Sequence, residues 1–204
     1  MRKSPTNTKS PQSSRNWELL FQRQCGIMYL QFDIYSNNYS DKGSDIFMKI
    51  QKLKADNIDD IVKWCENKDA DFLNQWAGIG YEYPLTRQQI EKRLSDGAEI
   101  YEADSDDKMV GTIEIITRES ETGVALIGRF LLNPELTGKG LGTQVLNAFI
   151  NFCKTEYSIR KIRLFVFDFN IAAFKCYKKC GFSETETVIR PNGWKAICME
   201  KEAE

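Results

Sequence analysis

The chain has 204 residues, 42% of them hydrophobic and 12% aromatic, with a formal charge of −1; that supports one well-packed core and gives no general electrostatic reason to expect a nucleic-acid partner. It contains no histidine, which excludes Ser-His-Asp and Cys-His nucleophilic systems, His-Glu-x-x-His zinc hydrolysis and histidine acid–base chemistry. No run approaches the roughly 18 uninterrupted apolar residues of a membrane helix, and no apolar run follows the charges of Met1-Arg2-Lys3-Ser4-Pro5, so a cytoplasmic protein without a membrane partner is the expectation.

Residues 1–16 are polar and basic with almost nothing to bury and are expected to be disordered. Residues 17–47 combine a strand-like run at 27–35 with a polar linker at 36–44. The pattern becomes regular at Met48, which puts an N-terminal extension, at least partly disordered, at 1–47 and the domain at 48–204. The sequence predicts a strand over 49–53, then a helix from an Asn57 cap to about residue 67, with Ile58, Ile61, Val62 and Cys65 on one face. Further helical turns over 71–77 stop at Gly78, and Gly80-Tyr81-Glu82-Tyr83-Pro84 reads as a loop. Thr86, with Gln89 three residues on, has the form of a capping box for a helix over 87–94. Strands follow over 99–104, 109–117 and 124–132, joined by turns suited to antiparallel hairpins. An amphipathic helix over 141–156, a strand over 161–168, a helix over 171–180 stopped by Gly181, and a strand pair around Asn192-Gly193 complete the chain. The order β-α-α-β-β-β-α-β-α-β-β is that of a mixed α/β layer protein.

Between the third of those strands and the amphipathic helix lies Asn133-Pro134-Glu135-Leu136-Thr137-Gly138-Lys139-Gly140-Leu141-Gly142-Thr143. Alternating glycines let a backbone turn tightly and approach a ligand without Cβ obstruction, and the first-turn amides of the helix behind them favour an anion. Lys139 adds charge. Taken alone, the turn serves equally well as a compact strand-to-helix connection. Two rival phosphate motifs fit poorly. Lys139 precedes Gly140, where a Walker A loop needs Ser or Thr after Gly-Lys, and a dinucleotide fingerprint would not follow three antiparallel strands.

A second motif, Asn170-Ile171-Ala172-Ala173-Phe174-Lys175-Cys176-Tyr177-Lys178-Lys179-Cys180-Gly181-Phe182, resembles the N-x-x-A-x-x-x-Y-x-K-x-G-F signature of GNAT acetyltransferases at every specified position. The glycine turn resembles the R/Q-x-x-G-x-G/A acetyl-CoA loop of the same family, with Gly140 and Gly142 in the glycine positions and Thr137 where Arg or Gln is usual. The resemblance covers most of 48–204 and none of 1–47. It implies a GNAT-like, mostly antiparallel central sheet with splayed central strands, flanked by helices on both faces. It also implies acetyl-CoA as co-substrate, with no metal: pantetheine along Phe130, Leu131 and Leu132, pyrophosphate on Thr137, Gly138, Lys139, Gly140, Leu141, Gly142 and Thr143, and further contacts from Asn170, Ala173 and Tyr177. The implied reaction is direct attack of a primary amine on the thioester, which needs no histidine.

Tyr177 is the candidate general acid, since a phenol near pKa 10 can protonate a leaving thiolate of about 8.5. Glu114, among Ile113, Ile115 and Ile116, is the candidate base, with Glu102 and Asp168 as alternatives. The acceptor pocket is expected at Phe72, Trp76, Tyr81, Glu82 and Tyr83, where aromatics and a carboxylate suit a cationic amine of a small molecule or protein. A catalytically silent acyl-CoA sensor or assembly module is the alternative, and Trp194 with the last strands is a plausible homodimer surface. The six cysteines contain no C-x-x-C pair and read as reduced thiols.

Overall fold

A computed structural model describes residues 48–203 except Lys139. The expected extension, 1–47, with its strand-like run and Cys25, lies outside the described residues.

The strands and helices are β1 (Met48–Lys52), α1 (Ile58–Cys65), α2 (Ala70–Ala77), α3 (Arg87–Ser95), β2 (Glu99–Ser105), β3 (Lys108–Glu119), β4 (Val124–Leu132), α4 (Leu141–Tyr157), β5 (Lys161–Phe167), α5 (Ile171–Lys179), β6 (Ser183–Ile189) and β7 (Lys195–Glu202). They form one seven-stranded sheet in the order β1-β2-β3-β4-β5-β7-β6, in which only β4 and β5 are parallel. The expected mixed, mostly antiparallel α/β architecture is the one observed, with three helices where the expected order has two between β1 and β2, because the turns over 71–77 form a full eight-residue helix capped by Asp69. Asp106 and Asp107 turn the β2–β3 hairpin with φ of 51° and 58°, a left-handed pair that short acidic side chains tolerate. At the other end Arg190 N donates to Trp194 O, and Gly193, at φ 83°, supplies the left-handed residue of that turn.

Each face of the sheet carries its own core. On one side α4 buries Leu146, Phe149 and Cys153 against Tyr101, Ile113, Ile127 and Ile162. On the other, α1, α2 and α3 bury Ile58, Ile61, Leu73 and Ile90 against Ile100, Met109 and Leu131. Strands covered on both faces read as apolar runs, which is why β3 and β4 show little alternation in the sequence.

Two of the expected caps take another form. Asn57 stands at the N-cap of α1 without a side-chain cap bond; its Nδ2 instead donates to Glu102 Oε2 at 2.9 Å. Thr86 likewise makes no side-chain cap bond. Gln89 cannot close the box because its amide is engaged backwards, accepting from Glu82 N at 2.9 Å and donating to the Glu82 and Pro84 carbonyls at 2.9 and 3.0 Å. Asp69, unmarked in the sequence reading, caps α2 through Phe72 N at 2.8 Å.

Candidate active site

The two parallel strands part early. β4 pairs with β5 only at Val124↔Lys161, Ala125↔Ile162 and Leu126↔Arg163. Beyond Leu126, β4 continues to Leu132 paired with β3 alone, across two register shifts, and Arg129 takes a left-handed φ of 48°. The strand edge of Phe130–Leu132 therefore faces the gap with its ladder groups unpaired by β5. Leu131 is buried toward α1–α3, while Phe130 and Leu132 pack on the α4 side.

The gap leads to the glycine turn. Gly138 and Gly140 have φ of 86° and 81°, and a Cβ at either would meet nothing within 4 Å, so both are glycine for their dihedrals. Gly142 differs: an added Cβ would stand 3.2 Å from Leu132 Cδ1 and 3.3 Å from Cys176 Sγ, so it is glycine for close packing. No side chain caps α4, and its first turn contains no acidic residue; Thr143 N donates to Gly140 O at 3.0 Å, while the Leu141 and Gly142 amides have no partner among the described residues and can face an outside anion. The Thr137 hydroxyl donates to Pro134 O at 3.1 Å and closes its own turn. Lys139 is outside the described residues.

On α5, Asn170 is the N-cap, its Oδ1 accepting from Ala173 N at 3.2 Å. Capping uses the amide oxygen and leaves Nδ2 as a donor. Ala173 is half-buried against the α4-side core, and Tyr177 is the buried residue of the helix, 6.1 Å from the Phe182 ring. Burial pushes the Tyr177 phenol above its ordinary value of 10.

A second feature lies across β3 and β4. Glu114 pairs opposite Gly128 in the strand register, and its Oε1 is held by Arg93 and, at 3.1 Å, by Arg129. Arg129 also donates from Nε to Ala77 O and from a terminal nitrogen to Ile79 O, both at 2.7 Å, tying the α2–α3 connection to the strand. Desolvation works against this buried guanidinium and lowers its pKa, with Glu114 opposing. Tyr81 stacks obliquely on Trp76 at 5.9 Å and under Arg93 at 5.2 Å; burial raises its phenol to about 12. Trp76, Tyr81, Thr112, Glu114 and Arg129 line a cavity of about 10 Å³, room for one water. Glu114 Oε2 and Trp76 Nε1 are buried there without a hydrogen-bond partner among the described residues.

Of the residues expected around an acceptor, Trp76 and Tyr81 thus join Glu114 at one cavity. Phe72 stays under Lys68 at 5.5 Å, while Glu82 and Tyr83 are exposed and do not line it. The alternative base Glu102 is fully buried and engaged, accepting from Gln51, Asn57, Lys54 N and Lys54 Nζ; it secures the turn after β1. Asp168 is exposed beyond β5. Arg93 and Arg129 were not singled out in the sequence. Arg129 had one sign, a charge after glycine inside the apolar run Val124–Leu132; Arg93, on a polar helix, had none.

The family model described as the acetyltransferase (GNAT) family matches residues 61–182, and the chain belongs to that family. Among individual proteins it is similar to the aminoglycoside N(6')-acetyltransferase type 1 of Klebsiella pneumoniae, 35% identical over 75 residues that cover 37% of each chain. It also resembles the spermine/spermidine N(1)-acetyltransferase of Bacillus subtilis, 31% identical over 74 residues, 36% of this chain and 49% of that one. The chain thus matches less than half the length of either curated relative. In structure it is similar to a Vibrio cholerae spermidine N-acetyltransferase in complex with CoA and spermine, with a TM-score of 0.64 over 76% of this chain and 95% of that one, at 18% identity.

Proposed function

We propose that residues 48–204 transfer an acetyl group from acetyl-CoA to a primary amine by direct attack, without a covalent enzyme intermediate. The observation that carries this reading is the parting of β4 from β5 after Leu126, opening onto a glycine turn with uncapped helix amides. Those features fit the co-substrate. An unpaired strand edge at Phe130, Leu131 and Leu132 matches an amide-bearing pantetheine arm, and the turn from Gly138 to Thr143, led by the Leu141 and Gly142 amides, matches a pyrophosphate. Asn170, whose Nδ2 the cap leaves as a donor, bonds the same arm in this reading, with Ala173 beside it, while Lys139 adds charge and Thr137 contributes backbone.

Acetyl-CoA supplies an activated acyl group; the chain's own residues move the protons. Glu114 Oε2, the free oxygen of its carboxylate, takes the proton that an alkylammonium must lose, through a water held in the cavity. The buried Tyr177 phenol, kept protonated by its surroundings, gives a proton to the departing sulfur. Trp76 and Tyr81 flank the amine. The names of both curated relatives, amine acetyltransferases, support an amine acceptor.

Thermal unfolding with acetyl-CoA, CoA, ATP and NAD tests the reading. At about a hundred times its Kd a ligand adds roughly 2.7 kcal/mol, several degrees in the midpoint. A shift with both CoA species and with neither nucleotide is expected, followed by turnover with a panel of amines. No shift with either CoA species overturns it.

A further inference from the structure

Cys176 and Cys180 occupy positions that the N-x-x-A-x-x-x-Y-x-K-x-G-F pattern leaves free, one turn apart at the end of α5. Both sulfurs pack on the first turn of α4. Cys176 Sγ lies 3.8 Å from Thr143 Oγ1, and the Cys180 thiol donates to Thr143 O at 3.8 Å. Cys176 is half-buried and Cys180 buried. Cys180 beside it, and secondarily Thr143 and Lys179, draw the Cys176 thiol below its ordinary value against the opposing effect of burial. Cys176 and burial together hold the Cys180 thiol above its ordinary value. Cys65, Cys153 and Cys198 make the contrast, buried thiols pushed up by desolvation. Half-buried Cys176 is thus the readier thiolate of the pair, and buried Cys180, one turn on, is the thiol that can resolve it.

Bond formation opens the last turn of α5. Residues four apart on a helix have Cα atoms about 6 Å apart, inside the range a disulfide spans, but Cβ atoms about 5–6 Å apart against the roughly 4 Å it needs. Cys180 N donates to Cys176 O at 3.0 Å across that turn, and this bond is given up. The helix ends there, with Gly181 already left-handed at φ 88°, so the opening is confined to the one turn.

We propose that Cys176 and Cys180 form a peroxide-reactive dithiol whose oxidation weakens the adjoining anion site. The Cys176 thiolate attacks one oxygen of hydrogen peroxide; the O–O bond breaks, and the hydroxide released takes up a proton as water. Cys180 sulfur then attacks the resulting sulfenic sulfur. The S–S bond forms, the S–O bond breaks, and the second oxygen leaves with the Cys180 proton as water. Two thiols have lost two hydrogens and one peroxide has become two waters. Drawing the sulfurs together removes both from Thr143 and shifts the atom that backs Gly142, so the amides of that turn lose their support. This last step rests on the acetyl-CoA reading of the glycine turn; the thiol chemistry does not.

The experiment treats the full chain with a few equivalents of hydrogen peroxide, removes the excess by catalase and desalting, and follows two readouts. Trypsin cuts after Lys175, Lys178 and Lys179 and so places the two cysteines in different peptides. Mass spectrometry should find these peptides joined, two hydrogens lighter than their sum, and separated again by dithiothreitol. Acetyl-CoA, which has no free thiol, should bind the oxidised chain about tenfold more weakly, as for the loss of one charge-assisted contact, with recovery on reduction. Cys180→Ser should bind as the reduced parent does before treatment, and afterwards carry oxygen on Cys176 without a cross-link. Peroxide that leaves Cys176 a thiol overturns the proposal, as does a cross-linked chain that binds acetyl-CoA unchanged. A reduced chain that never binds acetyl-CoA removes the cofactor reading instead, while the joined peptides still decide the dithiol.

Discussion

The two sides of the proposed cleft are built differently. The side assigned here to the cofactor is backbone: a strand edge that has lost its neighbour, two left-handed glycines and a helix start without a cap. The side assigned to the acceptor is side chains. Glu114 from β3, Arg129 from β4, Arg93 from α3, and Trp76 and Tyr81 from around α2 converge over one small cavity. A backbone site tolerates most side-chain changes and fails when a dihedral or an approach distance is lost. A converging site fails when one charge goes, because its partners stay buried.

The largest expected effect follows from that difference. Glu114→Ala leaves two guanidinium groups without their carboxylate, and losing one member of a buried ionic cluster costs about 3–5 kcal/mol, roughly a ten-degree fall in the unfolding midpoint for a chain of this size. Acetyl-CoA should still raise the midpoint of whatever remains folded. A variant as stable as the parent would mean that Arg93 and Arg129 find other partners, and that the acceptor side is no converging site.

Tyr177→Phe comes next, on the cofactor side but acting through a single atom. General acid catalysis contributes about 10²–10⁴-fold, so kcat should fall at least a hundredfold with KM for acetyl-CoA unchanged. Because burial raises the phenol, the parent's kcat should stay level up to about pH 9, short of the ordinary phenol pKa. An alkaline fall starting near pH 7 would identify a different acid.

These two residues also show what the sequence makes legible. Tyr177 and the glycines stand in short contiguous motifs, where spacing along one helix or one turn fixes who faces whom. The succession of strands and helices is equally local, and the hairpins and the 17-residue α4 could be read from it. Glu114 could be marked because a carboxylate inside an isoleucine run is conspicuous. Its partners could not. Arg93 and Arg129 lie 21 and 15 positions away, and only the sheet register and the return of α3 over β3 bring them together. The acceptor aromatics divide the same way: Trp76 and Tyr81 reach the cavity, while Tyr83 and Glu82, adjacent in sequence, turn to solvent.

A smaller effect is expected at Gly142. Ala there places a Cβ 3.2 Å from Leu132 and 3.3 Å from Cys176, a distance those side chains can relieve by moving a few tenths of an ångström. Helix propensity favours Ala over Gly by about 0.8–1 kcal/mol, so stability should hardly change. The displaced amides should weaken acetyl-CoA binding about tenfold, close to 1.4 kcal/mol. Calorimetric titration beside a melting curve separates the two quantities, and a loss of stability equal to the loss of binding would make the residue structural only.

The smallest effect tests whether the acceptor wall is held from a distance. Gln89 bonds Glu82 twice and Pro84 once from the first turn of α3, although neither Glu82 nor Gln89 lines the cavity. Gln89→Ala frees the loop between Gly80 and Leu85 at a cost of about 1 kcal/mol, since exposed backbone groups exchange those bonds for water. Tyr81 begins that loop and leans on Trp76, so its ring should lose orientation while Glu114 and its two arginines stay in place. The amine KM should therefore rise about two- to fivefold, with kcat and the KM for acetyl-CoA unchanged. A rise in the acetyl-CoA KM instead would couple the α2–α3 loop to the glycine turn, and the division between a backbone side and a side-chain side would no longer hold.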